Sequence, residues 1–330
     1  MPELDLDVVV TRGATIESHH RVHAAVVGPD DVLVATARDP RLVTMWRSCA
    51  KFFQVLPFLT CGGFDTLGWG EEELALACAS HGGEPEHVAL ASRMLESIGL
   101  EEGDLACGPH EPLTARGVKC LRESGRPYTR LHNNCSGKHA AMLARARTAG
   151  WPTQGYERHD HSVQRHCLAE VAKWSDVPID DMPIAVDGCG VTVMALPLEK
   201  MALAYSRWGR AAAAGDELPS RTVTAVRHHP HLLGGTERFD TVMLEETHGA
   251  VITKVGAEGV HCVAVPALGL GLAVKVEDGA IRAQHVAVLR LLQLVGALPG
   301  ALSPRLQDWA VRPIRNTRGE TVGEVRPAST

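Results

Sequence analysis

No apolar run in the sequence approaches the roughly 20 residues that a membrane-spanning helix needs. There is no long basic stretch either, and the formal net charge is −6, so nucleic acid is not an expected partner. The first residues, Met1-Pro2-Glu3-Leu4-Asp5-Leu6-Asp7, are acidic and lack the charged-then-apolar layout of a signal peptide. Cys-x-x-Cys is missing, and the nine cysteines are an odd, scattered set, which argues against a disulfide framework and for a reducing cytoplasm. No internal repeat, low-complexity tract or obvious linker divides the 330 residues. What is there resembles an ordinary globular chain, 45% hydrophobic and 22% charged, with ample length for a core. Its 17 histidines suit metal binding or proton transfer without choosing between them.

The valine-rich stretches 7–12, 21–27 and 32–37 read as strands of an antiparallel meander, separated by Gly13 and by Gly28-Pro29-Asp30-Asp31. Helices are expected at 71–79, with acids in the first turn, and at 85–98, where Pro85 starts a helix that Gly99 closes. Further helices fall at 140–149, 162–174, 196–214 and 220–226, and a short buried strand at 183–187. Strands return at 250–254, 260–265 and 272–276, followed by a helix at 283–298, and 310–330 reads as a polar, partly extended tail. Strands at both ends with helices between them give an α+β fold with a mostly antiparallel sheet, one domain with a possible helical subdomain at about 60–230.

The chemistry begins at Arg47-Ser48-Cys49-Ala50-Lys51. Residues three apart on a helix share a face, so an amine reaches a hydroxyl. A serine becomes a nucleophile when a base takes its proton, and a lysine serves as that base when burial or positive charge lowers its pKa. The apolar run from Phe52 to Leu59 places Lys51 at the start of a buried helix. Ser80-His81-Gly82-Gly83-Glu84 reads most simply as a helix end stopped by glycine. Cys135-Ser136-Gly137-Lys138-His139 tempts a phosphate-loop reading, but the upstream glycine is missing and His139 stands where Ser or Thr should bind magnesium. With Asp187-Gly188-Cys189 it could instead hold zinc, against the simpler reading of buried, inert cysteines. His228-His229-Pro230-His231 and Gly234–Thr241 form an expected polar loop, and Lys254 sits in an apolar strand, facing either solvent or a site.

Taken in order, residues 47–51, 78–84, 134–139, 187–190, 234–241 and 254–259 resemble the rhizobial-type, or class 3, L-asparaginases of the asparaginase II family. The resemblance runs from Glu17-Ser18-His19 to Asn316–Gly319, nearly the whole chain. It implies a fold similar to serine β-lactamases and glutaminases, a homodimer, and hydrolysis of L-asparagine to L-aspartate and ammonia. It further implies Ser48 as nucleophile with Lys51 as base, and Ser80 with Lys254 as a second pair. Cys135, Lys138 and Cys189 would hold one zinc ion per chain, supporting substrate binding, and His139 would line the substrate site. Arg47 is the expected partner of the substrate carboxylate and Asp187 that of its ammonium. Phe52, Gly82 and Thr192 depart from the small residue or proline, the serine and the proline common in relatives, which leaves other amides (glutamine, a β-aspartyl amide, a specialised metabolite) or acyl transfer as alternatives. A non-catalytic relative that binds a metal or ligand is the remaining reading.

Overall fold

The computed structural model describes residues 2–329. Two compact units are present: one from residues up to Cys49, Leu196–Arg210 and from Val242 onward, the other from Ala50–Ala195 and Ala211–Thr241.

The first unit is built on two antiparallel sheets. The five-stranded sheet has the order Leu33–Ala37, Val22–Val27, Leu270–Val276, Val260–Val265, Ile252–Val255. Val274 pairs with Ala24, and Lys254 with Cys262. Every residue of Val260–Val265 is buried, which is why that strand, apolar apart from His261, shows no alternation. The four-stranded sheet has the order Arg312–Arg315, Thr321–Pro327, Val8–Arg12, Thr15–His20. Helix Ile281–Leu294 packs on strands from both sheets and buries Val286, Leu289 and Leu292 there.

The second unit is mainly helical. Helix Lys51–Thr60 is buried along nearly its whole length and packs against Ser162–Ser175, Ser136–Thr148 and Glu217–His228. Local signals set the helix ends. Glu73 accepts a hydrogen bond from Gly70 N–H at 2.8 Å ahead of Glu71–Ala77, and the Thr114 hydroxyl accepts from Gly117 N–H at 3.0 Å to cap Ala115–Ser124. Gly125, at φ 65°, closes that helix in the left-handed conformation. A side chain on Gly137 would meet the Leu76 carbonyl oxygen at 2.4 Å, so glycine there lets helix Ser136–Thr148 approach Glu71–Ala77 closely.

The α+β class and the antiparallel sheets match the sequence expectation; several local readings do not. The early strands are not one meander, because Val8–Arg12 and Val22–Val27 lie in different sheets and Thr15–His20, too polar to stand out, joins the first. The expected tail is a hairpin whose second strand pairs Val325 with Val10. Strand Ile184–Val186 is a largely exposed edge, with Val186 76% exposed. The loop expected around His231 contains the short helix Pro230–Leu233.

Candidate active site

Helix Glu71–Ala77 stops three residues before Ser80, so Ser80-His81-Gly82-Gly83-Glu84 is not a glycine-stopped helix end. It is an extended segment held on both sides: Ser80 N–H donates to Leu233 O at 3.1 Å and His81 N–H to Asn134 O at 3.2 Å. The Lys51 side-chain nitrogen, on a residue 1% exposed, points at this segment. It bonds Ala79 O, Ser80 Oγ at 3.1 Å and Cys135 Sγ at 3.2 Å. No carboxylate is among those partners.

Arg47 and Ser48 lie in the 3-10 turn Arg47–Ala50 that runs directly into helix Lys51–Thr60. Arg47 holds φ 53°, a left-handed conformation that costs a non-glycine residue on the order of 1 kcal/mol or more. Ser48 is half-buried. Within the sheet-bearing unit, the thiol of Cys49 donates to Lys254 O at 3.1 Å, and Tyr205 Oη donates to Cys49 O at 2.7 Å. The Ser48 turn and the strand carrying Lys254 are therefore side by side. Lys254 is fully buried and its Nζ donates to Val255 O at 3.0 Å, so the solvent-facing reading of this lysine does not hold.

The second unit joins Cys135, Lys138 and Cys189, which are far apart in sequence. Asn133 Oδ1 accepts from Cys135 N–H at 2.9 Å and fixes Cys135 just ahead of helix Ser136–Thr148; Lys138 follows in its first turn. Cys189 is presented by a tight turn in which Gly190 N–H donates to Asp187 O at 2.8 Å, with Gly190 at φ 88°. Lys138 Nζ lies 3.2 Å from Cys189 Sγ, and Asp187 Oδ2 lies 3.9 Å from the same sulfur. Cys135 and Cys189 share a hydrogen bond that pulls their pKa values apart. The bond from Cys135 and the Lys138 charge outweigh burial and bring Cys189 down to about 5, whereas the bond to Cys189, then burial and the Cys189 charge, push Cys135 up to about 12. Burial alone would lower the Lys138 pKa, but the Cys189 and Cys135 sulfurs reverse this and raise it.

His139 is fully buried, and its Nδ1 lies 2.6 Å from Tyr156 Oη. Glu84 is also fully buried. Burial pushes its pKa up, but hydrogen bonds from Thr114, Thr236 and Arg116 prevail and hold it below the ordinary carboxylate value. It receives Thr236 N–H at 2.8 Å and Thr236 Oγ1–H at 2.9 Å, which ties the 80–84 segment to the Gly234-Gly235-Thr236 loop. Beside it three imidazoles stack, His81 on His87 with centroids 4.8 Å apart and His87 on His231 at 5.1 Å. Glu84, Glu86 and His231 bring one ligand atom each within 4.8 Å of one another. Arg116 bonds both carboxylates, however, so its guanidinium already supplies the positive charge there. Sequence reasoning passed over Tyr156 and Arg116, because nothing in their spacing announces contacts 17 and 30 residues away.

The sequence pattern of the L-asparaginase II family matches residues 8–327. The chain belongs to the L-asparaginase II family. A search of curated proteins finds no match. As a member of the L-asparaginase II family the protein is a hydrolase of amide bonds.

Two departures from the pattern of relatives have a local physical account in this L-asparaginase II chain. A side chain on Gly82 would meet Thr114 Cγ2 at 2.4 Å, so Gly82 and Thr114 are mutually fitted where relatives commonly carry serine. Thr192 donates both its N–H and its hydroxyl to Glu157 O, each at 3.0 Å, and a proline there could not make the first of these bonds. Phe52 is fully buried in helix Lys51–Thr60.

Proposed function

We propose that the protein hydrolyses L-asparagine to L-aspartate and ammonia through a serine–lysine system. The observation that carries this is Lys51, a buried amine 3.1 Å from the hydroxyl of Ser80, one of the two serines in the proposed system. Ser48 Oγ attacks the side-chain amide carbon while Lys51 takes its proton. The carbon–nitrogen bond breaks, the proton returns to the departing nitrogen, and ammonia leaves. Water then attacks the acyl-serine, and the same amine takes and returns the proton. Ser80, 3.1 Å from Lys51 Nζ, extends the proton path, with Lys254 proposed as the second amine. Arg47 is proposed to hold the substrate carboxylate and Asp187 its ammonium.

Zinc belongs to the same proposal. Two buried sulfurs that share a hydrogen bond, with the Lys138 nitrogen 3.2 Å from one of them, form a sulfur-rich donor set that would suit zinc once Lys138 gives up its proton. Cys135, Lys138 and Cys189 would hold it. When bound, such an ion acts as a Lewis acid that orients a polar group of the substrate. The expected homodimer and cytoplasmic location are also part of the proposal. Among the described residues no helix is long and apolar enough to cross a membrane.

The test is ammonia release from L-asparagine, with L-glutamine alongside, for the parent and for Ser48→Ala. Release from asparagine that disappears in the variant supports both substrate and nucleophile. Release that survives in Ser48→Ala removes Ser48 from the mechanism, and silence of the parent on both amides removes asparagine and glutamine as substrates. Zinc is read separately, by elemental analysis of the purified protein against Cys135→Ser.

A further inference from the structure

Among the described residues Tyr156 Oη has two polar contacts, and they cannot be exchanged. Ala106 N–H donates to it at 2.9 Å, and His139 Nδ1 lies 2.6 Å away. A backbone N–H has nothing with which to accept, so the phenol proton has one destination. Tyr156 is 1% exposed and cannot send that proton to solvent. Its O–H therefore donates to His139 Nδ1, which must be the bare nitrogen. A neutral imidazole with a bare Nδ1 carries its proton on Nε2. Nε2 of His139 is buried and has no hydrogen-bonding partner among the described residues.

That position is adjacent to the proposed chemistry. His139 follows Lys138 in the first turn of helix Ser136–Thr148. An N–H donor buried in such a place is expensive to leave unpaired and valuable when an acceptor arrives. Tyr156 is in turn held by the segment it serves. Gln164 Nε2 donates to Tyr156 O at 2.9 Å, and the adjacent Glu157 O receives both bonds from Thr192. The ring stands edge-on to His139, with planes at 86°.

We propose that Tyr156 is a positioning residue that locks His139, the histidine already expected to line the substrate site, in the tautomer with a protonated Nε2, so that it meets a carbonyl or carboxylate oxygen of the amide substrate only as a donor. The second half rests on the asparaginase reading of the site; the first does not. His139 is thus a fixed donor whose direction is set from behind by a phenol.

The experiment uses the full chain labelled with 15N-histidine, the long-range 1H–15N spectrum, and steady-state kinetics on L-asparagine. The parent should show one imidazole with protonated Nε2 and bare Nδ1 that is missing from His139→Gln and shifts on addition of L-aspartate. Tyr156→Phe should turn that signal into a tautomer mixture and raise KM about tenfold, with kcat little changed, as expected for one net hydrogen bond made equally to ground and transition states. His139→Gln removes the imidazole and its tautomer together, so it should raise KM at least as far as Tyr156→Phe does. Adding Tyr156→Phe to it should change KM little. A thermal scan separates these effects from the stability lost when Ala106 N–H loses its acceptor. A parent His139 protonated on Nδ1, or a Tyr156→Phe protein with the parent's tautomer and KM, overturns the inference. A parent silent on L-asparagine and unresponsive to L-aspartate overturns the substrate half and the asparaginase reading together, while the tautomer signature decides the Tyr156 half by itself.

Discussion

Lys51 is the side chain whose surroundings most restrict the chemistry. Its amine contacts a carbonyl oxygen, a serine hydroxyl and a cysteine sulfur, all in the helical unit. A point charge and a base predict different mutants. Lys51→Met removes both roles and should lower kcat for asparagine by about a hundredfold or more. Lys51→Arg keeps the charge but cannot release its proton at working pH, so it should be as inactive as Lys51→Met. An arginine variant that keeps more than about a tenth of the parent rate would remove the base role. Glu84 is restricted differently: it accepts from Thr236 twice and pairs with Arg116. Glu84→Gln places an amide donor among donors, so unfolding in urea should show a loss of about 1–3 kcal/mol. An unchanged midpoint and slope would mean that this carboxylate does not hold the two loops together.

Between residues and the whole, the elements meet at contacts that tolerate little added volume. Gly137 lets the helix carrying Lys138 approach Leu76, whose carbonyl oxygen would lie 2.4 Å from an added methyl carbon. Gly137→Ala must displace backbone, and the expected cost is about 1–3 kcal/mol, read by chemical denaturation. Gly82 and Thr114 make the second such contact. Gly82→Ser alone should destabilise to a similar degree. Adding Thr114→Ser removes the obstructing methyl but keeps the hydroxyl that caps helix Ala115–Ser124, and it should recover most of the loss. Equal destabilisation of the single and double variants would show that the Thr114 methyl is not the obstacle.

At the scale of the whole molecule, buried histidines couple stability to pH. His87 is buried in the imidazole stack, and this burial brings its pKa down to about 4, although its bond to His231 O opposes the shift. The unfolded chain takes up a proton near pH 6.5 that the folded chain refuses. The stability from His87 is therefore complete above about pH 6.5 and is lost as pH falls towards about 4, a decline on the order of 3 kcal/mol. Glu86, held down to about 2 mainly by its bond to Arg116, adds a further loss as pH falls from 4.5 towards 2. Urea unfolding from pH 7 to 4 should show this slope, flatter in His87→Gln. A variant with the parent's full pH dependence would exclude His87 as its source.

The sequence by itself determined the α+β class, most helices, the buried start of helix Lys51–Thr60, and the family. Each rests on a local signal: apolar periodicity, a glycine or proline at an element end, or a short motif such as 47–51 or 134–139. Only the tertiary structure decided which residues meet across long separations. It sorted the early strands into two sheets and closed the C-terminal residues into a hairpin on Val8–Arg12, because a polar edge strand shows little periodicity until its partner is known. It brought Lys51 to Ser80 and Cys135, and Lys138 to Cys189, pairings for which spacing carries no signal. It also placed Tyr156 behind His139, where one bond from Ala106 N–H decides the direction of a proton. Local patterns fix local structure because they act through neighbours in the chain; hydrogen bonds across 17 to 152 residues exist only once the core has brought their ends together.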